Sequence, residues 1–174
     1  MLRILIVEDD LNVASMLRHI IEENMLFSVV GVVDDAESAV RLASEVNPDI
    51  ALVDLKLARG TTGFAAAAKL QDLGVMCLFV TGKAPDFAMA DLAIGCLAKP
   101  FTTDDLHVAL SIAESKLYGR IAFRTKLPSN LTLYEDLTAG EVQSSTRTYE
   151  PALIRSRRSL KMRVIHWVIG LGRD

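Results

Sequence analysis

Short apolar runs alternate along this chain with segments whose apolar positions recur every three or four residues, and that alternation constrains the fold more than any other feature. A run of four to seven apolar residues has the length of a strand, whereas a period near 3.6 marks one face of a helix. Five such pairs can be counted. The strand candidates are Arg3 to Val7, Ser28 to Val33, Ile50 to Val53, Val75 to Val80 and Cys96 to Ala98. They are rich in Val, Ile and Leu without alternation, which predicts burial on both faces.

The first helix candidate runs from about Leu11 to Asn24, with Val13, Met16, Leu17, Ile20 and Ile21 along one stripe. The second covers about Ala36 to Val46, the third about Gly63 to Asp72, and a short fourth about Asp86 to Leu92. Asn47-Pro48 is a stop signal between the second helix and the third strand. The fifth helix opens on Thr102-Thr103-Asp104-Asp105, where hydroxyls can cap free backbone N–H groups and acids favour the positive end of the helix dipole. Leu106, Ala109, Leu110, Ala113 and Leu117 form its apolar stripe. The expected class is α/β: a doubly wound, five-stranded parallel sheet of order 2-1-3-4-5, with helices on both faces and a C-terminal extension.

The chain has 174 residues, 51% of them hydrophobic, enough for one packed domain with an appendage. No apolar run approaches the roughly 18 residues that span a bilayer, and the start lacks the three-part build of a signal peptide, so a cytoplasmic location is expected. Cys77 and Cys96 each sit inside an apolar run and read as core thiols. Residues 1–118 carry 9 Lys+Arg against 17 Asp+Glu, whereas 119–174 carry 10 against 5. The sign change near Tyr118 suggests a module boundary. The reading is a domain over 1–118, a linker or irregular segment over 119–150, and a basic, helix-compatible tail over 151–174.

In an open sheet of this kind ligands bind outside the carboxyl ends of the strands. Glu8 and Asp9 follow the first strand, Asp54 the third, Thr81 the fourth, and Lys99 the fifth. Taken singly each is ordinary: an acidic pair often starts a helix, and Lys-Pro often ends a strand. Jointly they describe a site. Three converging carboxylates repel unless a cation lies among them, and an all-oxygen set suits Mg2+, which keeps several waters and accepts phosphate oxygens in its shell. Such an ion would neutralise an incoming phosphoryl group and hold it in line with an Asp54 oxygen, making Asp54 the nucleophile and an acyl phosphate the product. Lys99 offers a charge to a second phosphoryl oxygen and Thr81 a hydroxyl to a third. The chemistry is mostly positioning and charge neutralisation.

These pieces resemble the receiver domain of two-component response regulators over about residues 1–118: Ile4-Leu5-Ile6-Val7-Glu8-Asp9-Asp10, Pro48-Asp49-Ile50-Ala51-Leu52-Val53-Asp54-Leu55, Val80-Thr81-Gly82 and Lys99-Pro100-Phe101. The resemblance implies that Glu8, Asp9 and Asp54 hold magnesium together with the backbone carbonyl of Lys56. It also implies that Asp54 accepts phosphate from a histidine kinase or phosphotransfer protein, that Thr81 and Lys99 contact it, and that the Lys99–Pro100 bond is cis. A receiver is a switch rather than an enzyme, catalysing only its own phosphorylation and dephosphorylation.

The chain departs from the common pattern in three places. Cys96 stands where the family usually has a Tyr or Phe that reorients on phosphorylation, Gly82 follows the threonine, and the loop Lys56 to Gly63 is about one residue longer, with Gly60 and Gly63 permitting positive φ. Phe79-Val80-Thr81-Gly82 is similar to an atypical subgroup with a Phe-Ala-Thr-Gly fourth strand and no aromatic. The Gly82 loop is then the expected moving part, and Lys56 and Lys83 are within reach of the site.

Residues 119–174 resemble no effector module. The basic cluster Arg155 to Arg163 beside Trp167 fits a surface helix, a partner or homodimer contact, or a polyanion or lipid contact, with nucleic acid and membrane the less expected partners. Two functions are therefore compared: a phosphorylation-driven receiver signalling through protein contacts, and a phosphorylation-independent binding protein on the same fold that uses the basic tail on nucleic acid.

Overall fold

The structure, a computed structural model, describes residues 1–119 and 126–134. The basic tail 151–174, and the parts of 119–150 beyond these limits, lie outside the described residues. The elements follow in the order β1 (Leu2–Val7), α1 (Leu11–Glu22), β2 (Phe27–Val33), α2 (Ala36–Val46), β3 (Ile50–Val53), α3 (Gly63–Asp72), β4 (Met76–Thr81), β5 (Gly95–Ala98), α4 (Thr103–Leu117) and β6 (Leu131–Leu133). The strands form one sheet of order β2-β1-β3-β4-β5-β6, parallel from β2 to β5 and closed at one edge by the antiparallel β6. This is the expected doubly wound arrangement with one strand added, since β6 falls within the segment read as linker or irregular.

The pleat sorts the strand side chains onto two faces. Ile4, Ile6, Ile50, Leu52, Leu78, Val80 and Leu97 face α1 and α4, whereas Leu5, Val7, Ala51, Val53, Cys77 and Phe79 face α2 and α3. The interior strands are buried on both sides because helices cover both faces. β2 is only half-buried, because it stands at the edge of the sheet.

Each helix starts where a side chain accepts the free N–H groups of its first turn. Asp10 caps α1 through Asn12 and Val13, Asp35 caps α2 through Glu37 and Ser38, and Thr62 caps α3 through Ala65. Thr102 and Asp105 form a reciprocal capping box on α4. α2 stops at Asn47, left-handed at φ 47°, immediately before Pro48.

Two expectations are corrected. No helix forms over Asp86 to Leu92; the Met89 carbonyl accepts the N–H groups of Leu92 and Ala93, making a single turn. The segment is too short to offset the cost of nucleation, and two of its five apolar residues are exposed, Phe87 largely so. In α1 the buried residues are Ala14, Leu17, Ile20 and Ile21, and Met16 points to solvent. At about 100° per residue the four buried side chains span an arc of about 120°, and Met16 lies outside it.

Candidate functional site

Backbone hydrogen bonds beyond the strands bring the polar residues together. The Asp54 N–H donates to the Val7 carbonyl (2.9 Å) and the Glu8 N–H to that of Val33 (2.9 Å), so the ends of β3, β1 and β2 stay in register past the last strand residue. The Lys99 N–H donates to the Thr81 carbonyl (2.8 Å), extending β4 and β5 in the same way. Every residue named from the sequence thus lies at the carboxyl end of the sheet.

Carboxylate oxygens of Glu8, Asp9 and Asp54 all lie within 4.8 Å of one another. Glu8 and Asp54 are buried, whereas Asp9 is exposed, so the cluster has a floor and a mouth. Asp10, the third acid of the run, is occupied in capping α1. The Lys99 ammonium stands 2.7 Å from Glu8 Oε2 and 3.6 Å from Asp54 Oδ1. Lys99 follows β5, three strand spacings from β1, so the contact needs long side chains reaching toward each other from both sides, lysine from one and glutamate from the other. Burial pushes the Glu8 carboxyl above the ordinary carboxylate value; Lys99 pulls it down and the neighbouring Asp54 adds to the rise. The donor set is all oxygen, with one exposed member free to adjust, and that chemistry fits a hard divalent cation.

Thr81 closes β4 and is buried, its hydroxyl accepting the Lys83 N–H (3.4 Å). The Lys56 N–H donates to Asp54 Oδ2 (3.1 Å), which fixes the carboxylate from the loop side. The Lys99–Pro100 peptide is cis, as the resemblance implied. Cys96, in β5 at the position where the family usually has an aromatic, is buried, and burial pushes its thiol up to about 11 and that of Cys77 up to about 12. Both are unpaired core thiols.

The loop after Asp54 is more constrained than its two glycines suggested. Gly60 does take positive φ, but so does Arg59 (φ 57°). Gly63 instead begins α3 against the Asp54 carbonyl, where any Cβ would collide. Arg59 pairs with the buried Asp35 and with Asp34 (3.0 Å), and the Ala58 N–H donates to the Asp34 carbonyl (3.0 Å), so the loop is tied to the turn before α2. The Asp35 carboxyl is held at about 2, chiefly by the Ser38 N–H and hydroxyl, with Arg59 contributing. No local sequence pattern announces this tie, because its partners are 24 and 25 residues apart.

A fold with this strand order and an acidic pocket at the carboxyl ends of β1 and β3 defines a class, and the family model for the response regulator receiver domain matches residues 4–111. The chain belongs to the response regulator receiver family. The transcriptional regulatory protein PdtaR of Mycobacterium tuberculosis H37Rv is 32% identical over 126 residues, covering 66% of this chain and 57% of PdtaR, so the chain spans little more than half the length of that relative. Among solved structures, the signal receiver domain of a modulated diguanylate cyclase from Desulfovibrio desulfuricans G20 is 34% identical with a TM-score of 0.59, over 67% of this chain and 95% of that one. A two-component response regulator of the LuxR family from Aurantimonas sp. SI85-9A1 is 31% identical with a TM-score of 0.56, over 70% and 88%. Among the described residues, no helix is long and apolar enough to cross a membrane.

Proposed function

We propose that Asp54 accepts a phosphoryl group from a histidine kinase or phosphotransfer protein, with Mg2+ held by Glu8, Asp9, Asp54 and the Lys56 carbonyl. The observation that carries this reading is the gathering of three carboxylates within 4.8 Å beside the Lys99 ammonium. An Asp54 oxygen attacks phosphorus, the bond from phosphorus to the donor nitrogen breaks with its electron pair leaving on the histidine, and an acyl phosphate remains. Bound magnesium supplies charge neutralisation to the phosphoryl oxygens. Lys99 exchanges its contact with Glu8 for one with the phosphoryl group, and the Thr81 hydroxyl takes another oxygen.

The chain then acts as a switch rather than a catalyst of metabolite turnover, in the cytoplasm, where histidine kinases hold their phosphate. New contacts at Thr81 and Lys99 shift an equilibrium between two surface arrangements, with the Gly82 loop as the moving part. NMR spectra recorded with a phosphate mimic should show changes in the amides of residues 81–95. Incubation with Mg2+ and phosphoramidate followed by intact mass tests the central claim. A gain of one phosphoryl group is expected, abolished in Asp54→Asn; an unchanged mass would instead favour the phosphorylation-independent binding protein.

A further inference from the structure

We propose that Asn130 and strand β6 read the position of Lys99, making residues 128–134 the route by which the state of the site reaches the C-terminal part of the chain. The inference rests on the phosphorylation reading above and adds to it an output element outside the matched receiver region, which ends at residue 111.

Asn130 grips the backbone on both sides of Lys99. Its carbonyl accepts the Ala98 N–H (2.8 Å), and its side-chain amide donates to the Pro100 carbonyl (3.1 Å), the Ala98 carbonyl (3.4 Å) and Asp105 Oδ2 at the start of α4 (3.3 Å). Two amide hydrogens serve three acceptors, so a displacement of any one redistributes the others. On its far side Lys99 is bonded through its own N–H to the Thr81 carbonyl. One unbroken row of hydrogen bonds therefore runs from Thr81 through the Lys99 segment to Asn130.

From Asn130 the chain turns directly into β6, pairing Leu131 with Leu97, Thr132 with Cys96 and Leu133 with Gly95. The docking is built into the sequence. Gly95 leaves room that a Cβ would fill, since such an atom would collide with the Thr132 carbonyl and crowd Leu133. Leu131 and Tyr134 are buried, the Tyr134 N–H donates to the Ile94 carbonyl (2.9 Å), and the Lys116 ammonium reaches the Tyr134 carbonyl (3.4 Å). A strand so seated would by itself do no more than shield the β5 edge. What makes it a reader is its anchor, which holds the carbonyl groups of the residues before and after the lysine expected to move.

The test is amide hydrogen exchange on the full chain with and without beryllofluoride and Mg2+. In the wild type, amides near Asp54 and Thr81 and those of residues 131–134 should respond together, the latter by about tenfold, within the usual range of coupling between sites. Asn130→Leu keeps the volume and removes the amide donors; it should leave the response near Asp54 and Thr81 and abolish it at 131–134. Gly95→Val, which unseats β6 sterically, should separate the two responses in the same way. A wild type that responds around Asp54 and Thr81 but not at 131–134 overturns this proposal alone, as does an Asn130→Leu chain whose β6 still responds. Absence of any response around Asp54 and Thr81 overturns the phosphorylation reading and this one with it.

Discussion

Asp54→Asn should make the metal-free protein more stable, although it removes a group placed at the heart of the site. With an effective dielectric constant near 20, the 3.6 Å contact between Asp54 and Lys99 is worth about 4.6 kcal/mol of attraction. Repulsion from Glu8 and from Asp9, each no farther than 4.8 Å, is worth at least about 3.5 kcal/mol apiece on the same scale. The two repulsions exceed the attraction by about 2 kcal/mol, and solvent screening of the exposed Asp9 reduces the gain to roughly 1–2 kcal/mol. Asparagine keeps an oxygen for the Lys56 N–H, so the loop contact survives. For a domain of this size the melting temperature should rise by roughly 4–8 °C in EDTA. Magnesium should reverse the order. At a hundred times its dissociation constant it adds about 2.7 kcal/mol to the wild type, more than the variant's advantage, and much less to the variant, which has lost one of the three carboxylates. Thermal melts of both chains in EDTA and in a magnesium series decide the matter. A variant that melts below the wild type in EDTA, or that gains as much from magnesium, would refute the claim that these carboxylates are mutually strained and relieved by a cation.

Lys99→Met keeps the aliphatic stem but leaves the buried Glu8 without its ammonium, which should cost about 2–4 kcal/mol at neutral pH by chemical denaturation. Because the Glu8 carboxyl already lies above its ordinary value of 4.5, that deficit should shrink as pH falls through the raised value and the carboxyl becomes neutral; a pH-independent deficit would count against it. Asp35, held at about 2 against an ordinary 3.8, contributes stability that is complete above 3.8 and lost as pH falls toward 2. Asp35→Ala should therefore melt below the wild type at neutral pH, with the two curves converging in acid. Cys77 and Cys96, buried with thiols pushed up to about 12 and 11, should resist a disulfide reagent at neutral pH until denaturant is added, and labelling of the native chain would show the core reading to be wrong.

The legible parts of this molecule are those whose cause is local. α2 and α3 appear at their expected bounds because caps and periodicity lie within the segments themselves, Asp35 before one and Thr62 before the other. The placement of the candidate site residues at one edge was readable because parallel strands all end on one side, so a polar residue just past an apolar run is placed without knowledge of its neighbours. The failed helix over Asp86 to Leu92 shows the limit: its apolar residues were present, but the turn they make satisfies only one carbonyl. Met16 and Ala14 exchange roles because an apolar stripe in the sequence is wide enough to allow more than one rotation of the helix, and only docking on the sheet selects the arc that is buried.

The amino-acid order alone determined the strand count from β1 to β5, the class of fold and the group of side chains at its carboxyl edge, since each follows from chain direction and a repeat of two or 3.6 residues. Only the tertiary structure decided that Lys99 rests on Glu8, that Arg59 ties the loop after Asp54 to Asp34 and Asp35, and that Asn130 clasps the Lys99 segment before β6. Those contacts join residues dozens of positions apart in sequence. Distance of that kind is settled by packing and by the pairing of buried charge, and neither leaves a periodic mark on the chain.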